Sequence, residues 1–162
     1  RYQPGDEIFL IGYSRGAFAA RSLAGLIDRV GLLRRDQATQ RHVAMAYRHY
    51  RQGGADLRVF ADEYCHKDVP IAAIGVWDTV KSLGLPLFGF GTVRKHAFHS
   101  HHLGKSIRHG FQALAIHETR AVFEPVLWDS AETGARHVQQ MWFRGAHGDI
   151  GGMIGDDAAA RP

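Results

Sequence analysis

Three side chains in this sequence have the types and the order that acyl-transfer chemistry needs. Ser14 stands between two glycines in Gly12-Tyr13-Ser14-Arg15-Gly16. Asp78 follows an apolar run ending in Trp77. His147 follows "MWFRGA" and precedes the glycine-rich "GDIGG". A serine hydroxyl is a weak nucleophile until a base takes its proton, and a histidine base needs an acid to fix its tautomer. The pattern glycine-x-serine-x-glycine builds a nucleophile elbow when a strand precedes it and a helix follows. In such an elbow Gly12 and Gly16 leave room for strand and helix to approach. The N–H of Arg15, at the positive end of the helix, becomes an oxyanion-hole donor. Each residue alone has a plainer reading: a tight turn for Ser14, a helix cap or turn for Asp78, a loop histidine for His147. The order Ser, Asp, His at successive strand ends favours the joint reading.

Other acids compete for the place of Asp78. Asp129 follows "VLW", Glu118 is read inside a helix that could face the site, and Asp149 is expected to cap the turn after His147. The segment "HAFHSHHLG" brings His96, His99, His101 and His102 together, with His109 and His117 beyond. A histidine cluster can hold a metal, but no carboxylate or cysteine shares the spacing. No metal and no cofactor is therefore expected, and the cluster reads as a polar loop. There is no P-loop, no dinucleotide-binding glycine pattern after a strand, and no H-E-x-x-H.

The elements that must position these groups can be read from periodicity. Ile8 to Ile11 is a continuous apolar run, as in a strand buried on both faces of a parallel sheet. From Gly16 to Leu33 the period becomes helical, with Ala19, Ala20, Leu23, Ile27 and Val30 on one side and Arg15, Arg21, Ser22 and Arg29 mostly elsewhere. Residues 37–51 read as a second, more exposed helix ending near Gly53-Gly54. "VPIAAIGVW" (69–77) reads as a second strand and 82–106 as a long irregular loop. Helical spacing returns from Ile107 to Phe123 (Phe111, Leu114, Ala115, Val122), and "HVQQMWFRG" (137–145) is a third strand. Alternation of this kind predicts an α/β fold with a mostly parallel sheet and flanking helices.

Size and charge set the bounds. With 162 residues there is material for a single domain, taken as 1–162. No stretch of 18 apolar residues is present, so no membrane-spanning helix is expected. The single cysteine, Cys65, excludes an internal disulfide framework and reads as a packed thiol. The formal net charge is +4, from 16 Arg and 4 Lys against 16 acidic residues. No block of like charges appears, so the surface reads as mixed in sign and no nucleic-acid partner is expected. The chain opens on Arg1 rather than Met, so it is read as a truncated part of a larger domain.

"IGYSRGAFAARSLAGLI", "IGVWDTVKSLGLP", "HGFQALAIHETRAVFEPVLW" and "WFRGAHGDIGG", taken together and in this order, resemble the α/β-hydrolase domain of type VI secretion phospholipase effectors and their relatives. The resemblance implies an α/β-hydrolase fold and a Ser14-Asp78-His147 triad. It implies a serine esterase cleaving phospholipid acyl esters at a membrane surface. It implies an immunity or secretion-machinery protein as partner, and a product made in a bacterial cytoplasm and exported by a type VI system. Members open with a strand and an Asp-Gly-Thr turn that are absent before Ser14, so the second oxyanion donor is expected to be absent too. Leu83, Leu85, Leu87, Phe88 and Phe90 are candidates to line an acyl pocket or meet a membrane. The rival expectation is a catalytically inactive α/β-hydrolase-fold binding or scaffold domain.

Overall fold

Short apolar runs alternating with amphipathic stretches fold here into a parallel sheet backed by helices. A computed structural model describes residues 2–80, 102–129 and 137–152. In chain order it contains β1 (Ile8–Tyr13), α1 (Arg15–Val30), β2 (Leu32–Leu33), α2 (Gln40–Gln52), α3 (Asp56–Tyr64), β3 (Cys65–His66), β4 (Ile71–Trp77), β5 (Ile107–Ala115), β6 (His137–Phe143) and α4 (His147–Ile150). Strands β1, β4, β5 and β6 form a four-stranded sheet in that spatial order. All its pairings are parallel. The register sets Tyr13 beside Trp77 and Trp77 beside Ala113, so the strand ends that precede Ser14 and Asp78 lie side by side.

Helix α1 covers one face. Ala17 and Ala24 are fully buried, and their small side chains let the helix sit close on Ile71, Ile74 and Val76; Ile27, Leu103, Ile107 and Trp128 complete this core. Each large aliphatic side chain buried there contributes about 1.5–3 kcal/mol. A second cluster (Val30, Ala46, Tyr50, Phe60, Cys65) joins α1 to α2, α3 and β3. Cys65 is buried within it, and burial pushes its thiol pKa up. Helix α2 starts three residues later than its periodicity suggests. Thr39 is its N-cap, accepting a hydrogen bond from His42 N at 3.2 Å, and Gly53 ends it at φ 66°.

Three expectations are corrected. The stretch from Ile107 to Phe123 is not a helix: it is β5 followed by a short 3-10 turn at Ala121–Phe123. Its buried positions alternate through Gly110, Gln112 and Leu114, and a glycine and a glutamine at core positions hide a period of two. Strand β1 is not covered on both faces by described residues, for Ile8 and Leu10 meet the core while Phe9 and Ile11 are exposed. Arg21 does not lie on the solvent side of α1. It is buried, its guanidinium donating to Gln112 Oε1 (3.1 Å), to Val126 O and to Leu127 O (3.3 Å) and lying 4.9 Å from the Trp128 ring centre. Helix α3 has no counterpart among the expected elements. The apolar residues Leu83, Leu85, Leu87, Phe88 and Phe90, and three of the clustered histidines (His96, His99, His101), lie outside the described residues.

Candidate active site

Ser14 occupies the junction between β1 and α1. Its N–H donates to Trp77 O at 2.9 Å, carrying the β1–β4 pairing one residue past the strand. The chain then turns into the helix through φ 57° and ψ −120° at Ser14, a conformation that L-residues rarely adopt. The turn is sharp enough that a Cβ on Gly12 would lie 2.4 Å from Gly16 O, so only glycine fits there. Gly16 is different. A Cβ at this position would meet no heavy atom of the described residues within 4 Å. Among the described residues the steric reason expected for both glycines therefore holds for Gly12 alone. Ser14 makes no side-chain cap bond to α1, which leaves its hydroxyl free to point elsewhere. The N–H of Arg15, at the first helical position, has no acceptor within the helix.

Asp78 ends β4 in the same manner. Its N–H donates to Ala113 O at 2.8 Å, after which the backbone takes φ 43° and turns the carboxylate under the sheet end. The side chain is fully buried, and Oδ1 accepts from Ala115 N at 3.0 Å. His147 opens α4. The turn ahead of it is held by Asp149, whose Oδ2 accepts from Ala146 N at 2.7 Å; this residue, expected to cap the turn after His147, instead closes the one before it.

The three side chains meet. Ser14 Oγ is 2.8 Å from His147 Nε2, and His147 Nδ1 is 2.6 Å from Asp78 Oδ2. An ionised carboxylate only accepts, so Nδ1 carries the hydrogen and Nε2 faces the serine as an acceptor. His147 is 6% exposed, which leaves little room for the ring to leave this line. Asp78, and neither Glu118 nor Asp129, stands at Nδ1.

Two aromatic neighbours of His147, Tyr13 and Phe123, carry no signal in the sequence. The Tyr13 ring stacks on the imidazole at 4.8 Å, and its hydroxyl donates to His147 O at 2.9 Å. Burial and the Asp78 charge raise the Tyr13 pKa, so it remains a neutral donor. A Cβ on Gly151 would strike the Tyr13 ring at 2.3 Å, which explains one glycine of "GDIGG". Phe123 also stacks on the imidazole, at 4.6 Å. Glu118 lies between β5 and the 3-10 turn at Ala121–Phe123, not in a helix. Its Oε2 accepts from His147 N at 3.1 Å and from Arg120 at 2.7 Å. Among the described residues no group of three His, Cys, Asp or Glu side chains could hold a metal ion. No described helix is long and apolar enough to cross a membrane.

The sequence model for a family described as "T6SS, Phospholipase effector Tle1-like, catalytic domain" matches residues 1–161. Among curated proteins, Uncharacterized protein YEL023C of Saccharomyces cerevisiae is 30% identical over 139 residues, covering 76% of this chain and 19% of that protein. The chain thus spans about a fifth of the length of this relative.

Proposed function

The chain belongs to the Tle1-like phospholipase effector catalytic-domain family of type VI secretion, and on that premise we propose that it is a serine hydrolase cleaving phospholipid acyl esters through Ser14, His147 and Asp78. The observation that carries the proposal is the unbroken line from Ser14 Oγ to Nε2 at 2.8 Å and from Nδ1 to Asp78 at 2.6 Å. As Ser14 Oγ attacks the acyl carbon, His147 Nε2 takes the serine proton. The carbonyl oxygen becomes an oxyanion, and the Arg15 N–H donates to it. Asp78 keeps Nδ1 protonated and stabilises the imidazolium. The tetrahedral species then collapses. The bond to the alkoxide leaving group breaks, His147 returns its proton to that alkoxide, and a lysolipid leaves. Water attacks the acyl-Ser14 ester with His147 as base, and a fatty acid departs with Ser14 restored.

In this reading residues 1–162 belong to one hydrolase domain whose chemistry needs no cofactor. Export by a type VI machine and neutralisation by an immunity protein are part of the same proposal. They are tested apart from the chemistry. The test is incubation with phosphatidylglycerol or phosphatidylethanolamine vesicles, with mass spectrometry of the products. Fatty acid and lysolipid from the wild type, and neither from Ser14→Ala, are expected. Folded wild type that binds vesicles and releases neither would instead support the inactive scaffold.

A further inference from the structure

Resting on the proposed role of His147 as base, we propose that Glu118 and Arg120 are a positioning pair whose balanced charges hold His147 in place and set its affinity for a proton. Glu118 takes hold of the backbone of the residue whose ring must be aligned, through His147 N at 3.1 Å. Arg120 closes on the same carboxylate with three donors: its N and Nε to Oε1 at 2.8 Å each, and a terminal nitrogen to Oε2 at 2.7 Å. Its guanidinium also lies 4.2 Å from the centre of the Phe123 ring, which stacks on the imidazole. The pair therefore reaches His147 twice, through the backbone and through Phe123.

A hydrogen bond to one backbone N–H does not need so elaborate a carboxylate. The Glu118 side chain is only 3% exposed, and an anion placed there beside a titrating ring would favour the imidazolium. Arg120 cancels that charge. Its hydrogen bonds, ahead of those from backbone N–H groups, hold the Glu118 carboxyl well below the usual carboxylate range, so the pair is ionised at any working pH. The pKa of Tyr13, stacked on the same ring, is raised first by burial and then by the charges of Asp78, Asp149 and Glu118, with Arg120 opposing. The groups facing His147 are thus Ser14 and Tyr13 after and within β1, Asp78 after β4, Glu118 and Arg120 after β5, and Asp149 on its own helix. Among these described groups only Glu118 and Arg120 form a self-cancelling pair, and it can be unbalanced in either direction by one substitution.

The sign follows from the charges. Arg120→Met leaves Glu118 uncompensated, favours the imidazolium and raises the His147 pKa. Glu118→Gln keeps an acceptor for His147 N, leaves Arg120 uncompensated and lowers it. The double variant restores the balance. The experiment is an NMR titration of the His147 ring in each variant, with the pH profile of kcat/KM on a soluble ester beside it and a thermal melt confirming folding. Shifts of opposite sign, of roughly 0.3–1 pH unit after discounting for the solvent exposure of Arg120, with the double variant near wild type, are expected. Shifts of the same sign in both single variants, or none in either, would overturn the proposal even if the protein hydrolyses esters. An inactive wild type with opposed shifts would overturn the hydrolase reading and leave the electrostatic pair standing.

Discussion

Replacing Asp78 by asparagine keeps the shape of the side chain and exchanges one oxygen for an NH2. The neighbours dictate how the new amide must sit. Asp78 Oδ1 accepts from Ala115 N at 3.0 Å in a fully buried pocket, and an NH2 placed there would face another donor. The amide oxygen must therefore take Ala115, which turns the NH2 toward His147 Nδ1, 2.6 Å away in the native site. Nδ1 then becomes the acceptor, the ring hydrogen moves to Nε2, and Nε2 presents a donor to Ser14 where a base is needed. An amide in the acid's place that forces the wrong tautomer costs about 10⁴-fold in kcat, or roughly 5.4 kcal/mol of transition-state stabilisation. The assay is steady-state hydrolysis of a p-nitrophenyl ester by Asp78→Asn and wild type, with circular dichroism melts to confirm both are folded. A folded Asp78→Asn within tenfold of wild type would refute the claim that Asp78 sets the tautomer.

Other expectations follow from single contacts. Gly12→Ala drives a Cβ to 2.4 Å from Gly16 O and should lower the melting temperature by the equivalent of about 3 kcal/mol or more or abolish folding, whereas Gly16→Ala should melt at or above wild type. Arg21→Ala strips donors from Gln112 and the 126–127 carbonyls, and a urea titration should show a loss of about 2–4 kcal/mol. Because the folded Glu118 pKa is depressed, its contribution to stability is present above the ordinary glutamate pKa and is lost as pH falls. The melting difference between wild type and Glu118→Gln should accordingly be largest near pH 7 and shrink below pH 4.

The polar ends of the site were legible because residue type and position agreed: a serine between glycines after an apolar run, an aspartate after Trp77, and a histidine before a glycine turn. The shell around them was not. Glu118 was expected in a helix because β5 was expected to be one, and the buried Gly110 and Gln112 of β5 carry no apolar signal. Arg21 looked solvent-facing because nothing local marks a guanidinium that meets chain segments about 90 and 105 residues away. Of the two elbow glycines, the sequence could not tell that only Gly12 is sterically required; that depends on how closely Gly16 folds back over it.

Covalent capture reports whether Ser14 is an activated nucleophile. A fluorophosphonate reacts preferentially with a serine activated by a neighbouring base. It should modify this protein at Ser14 alone, as mapped by peptide mass spectrometry, and leave Ser14→Ala and His147→Ala unlabelled. Folded wild-type protein that resists the probe, or a label that persists in Ser14→Ala, would contradict that role of Ser14.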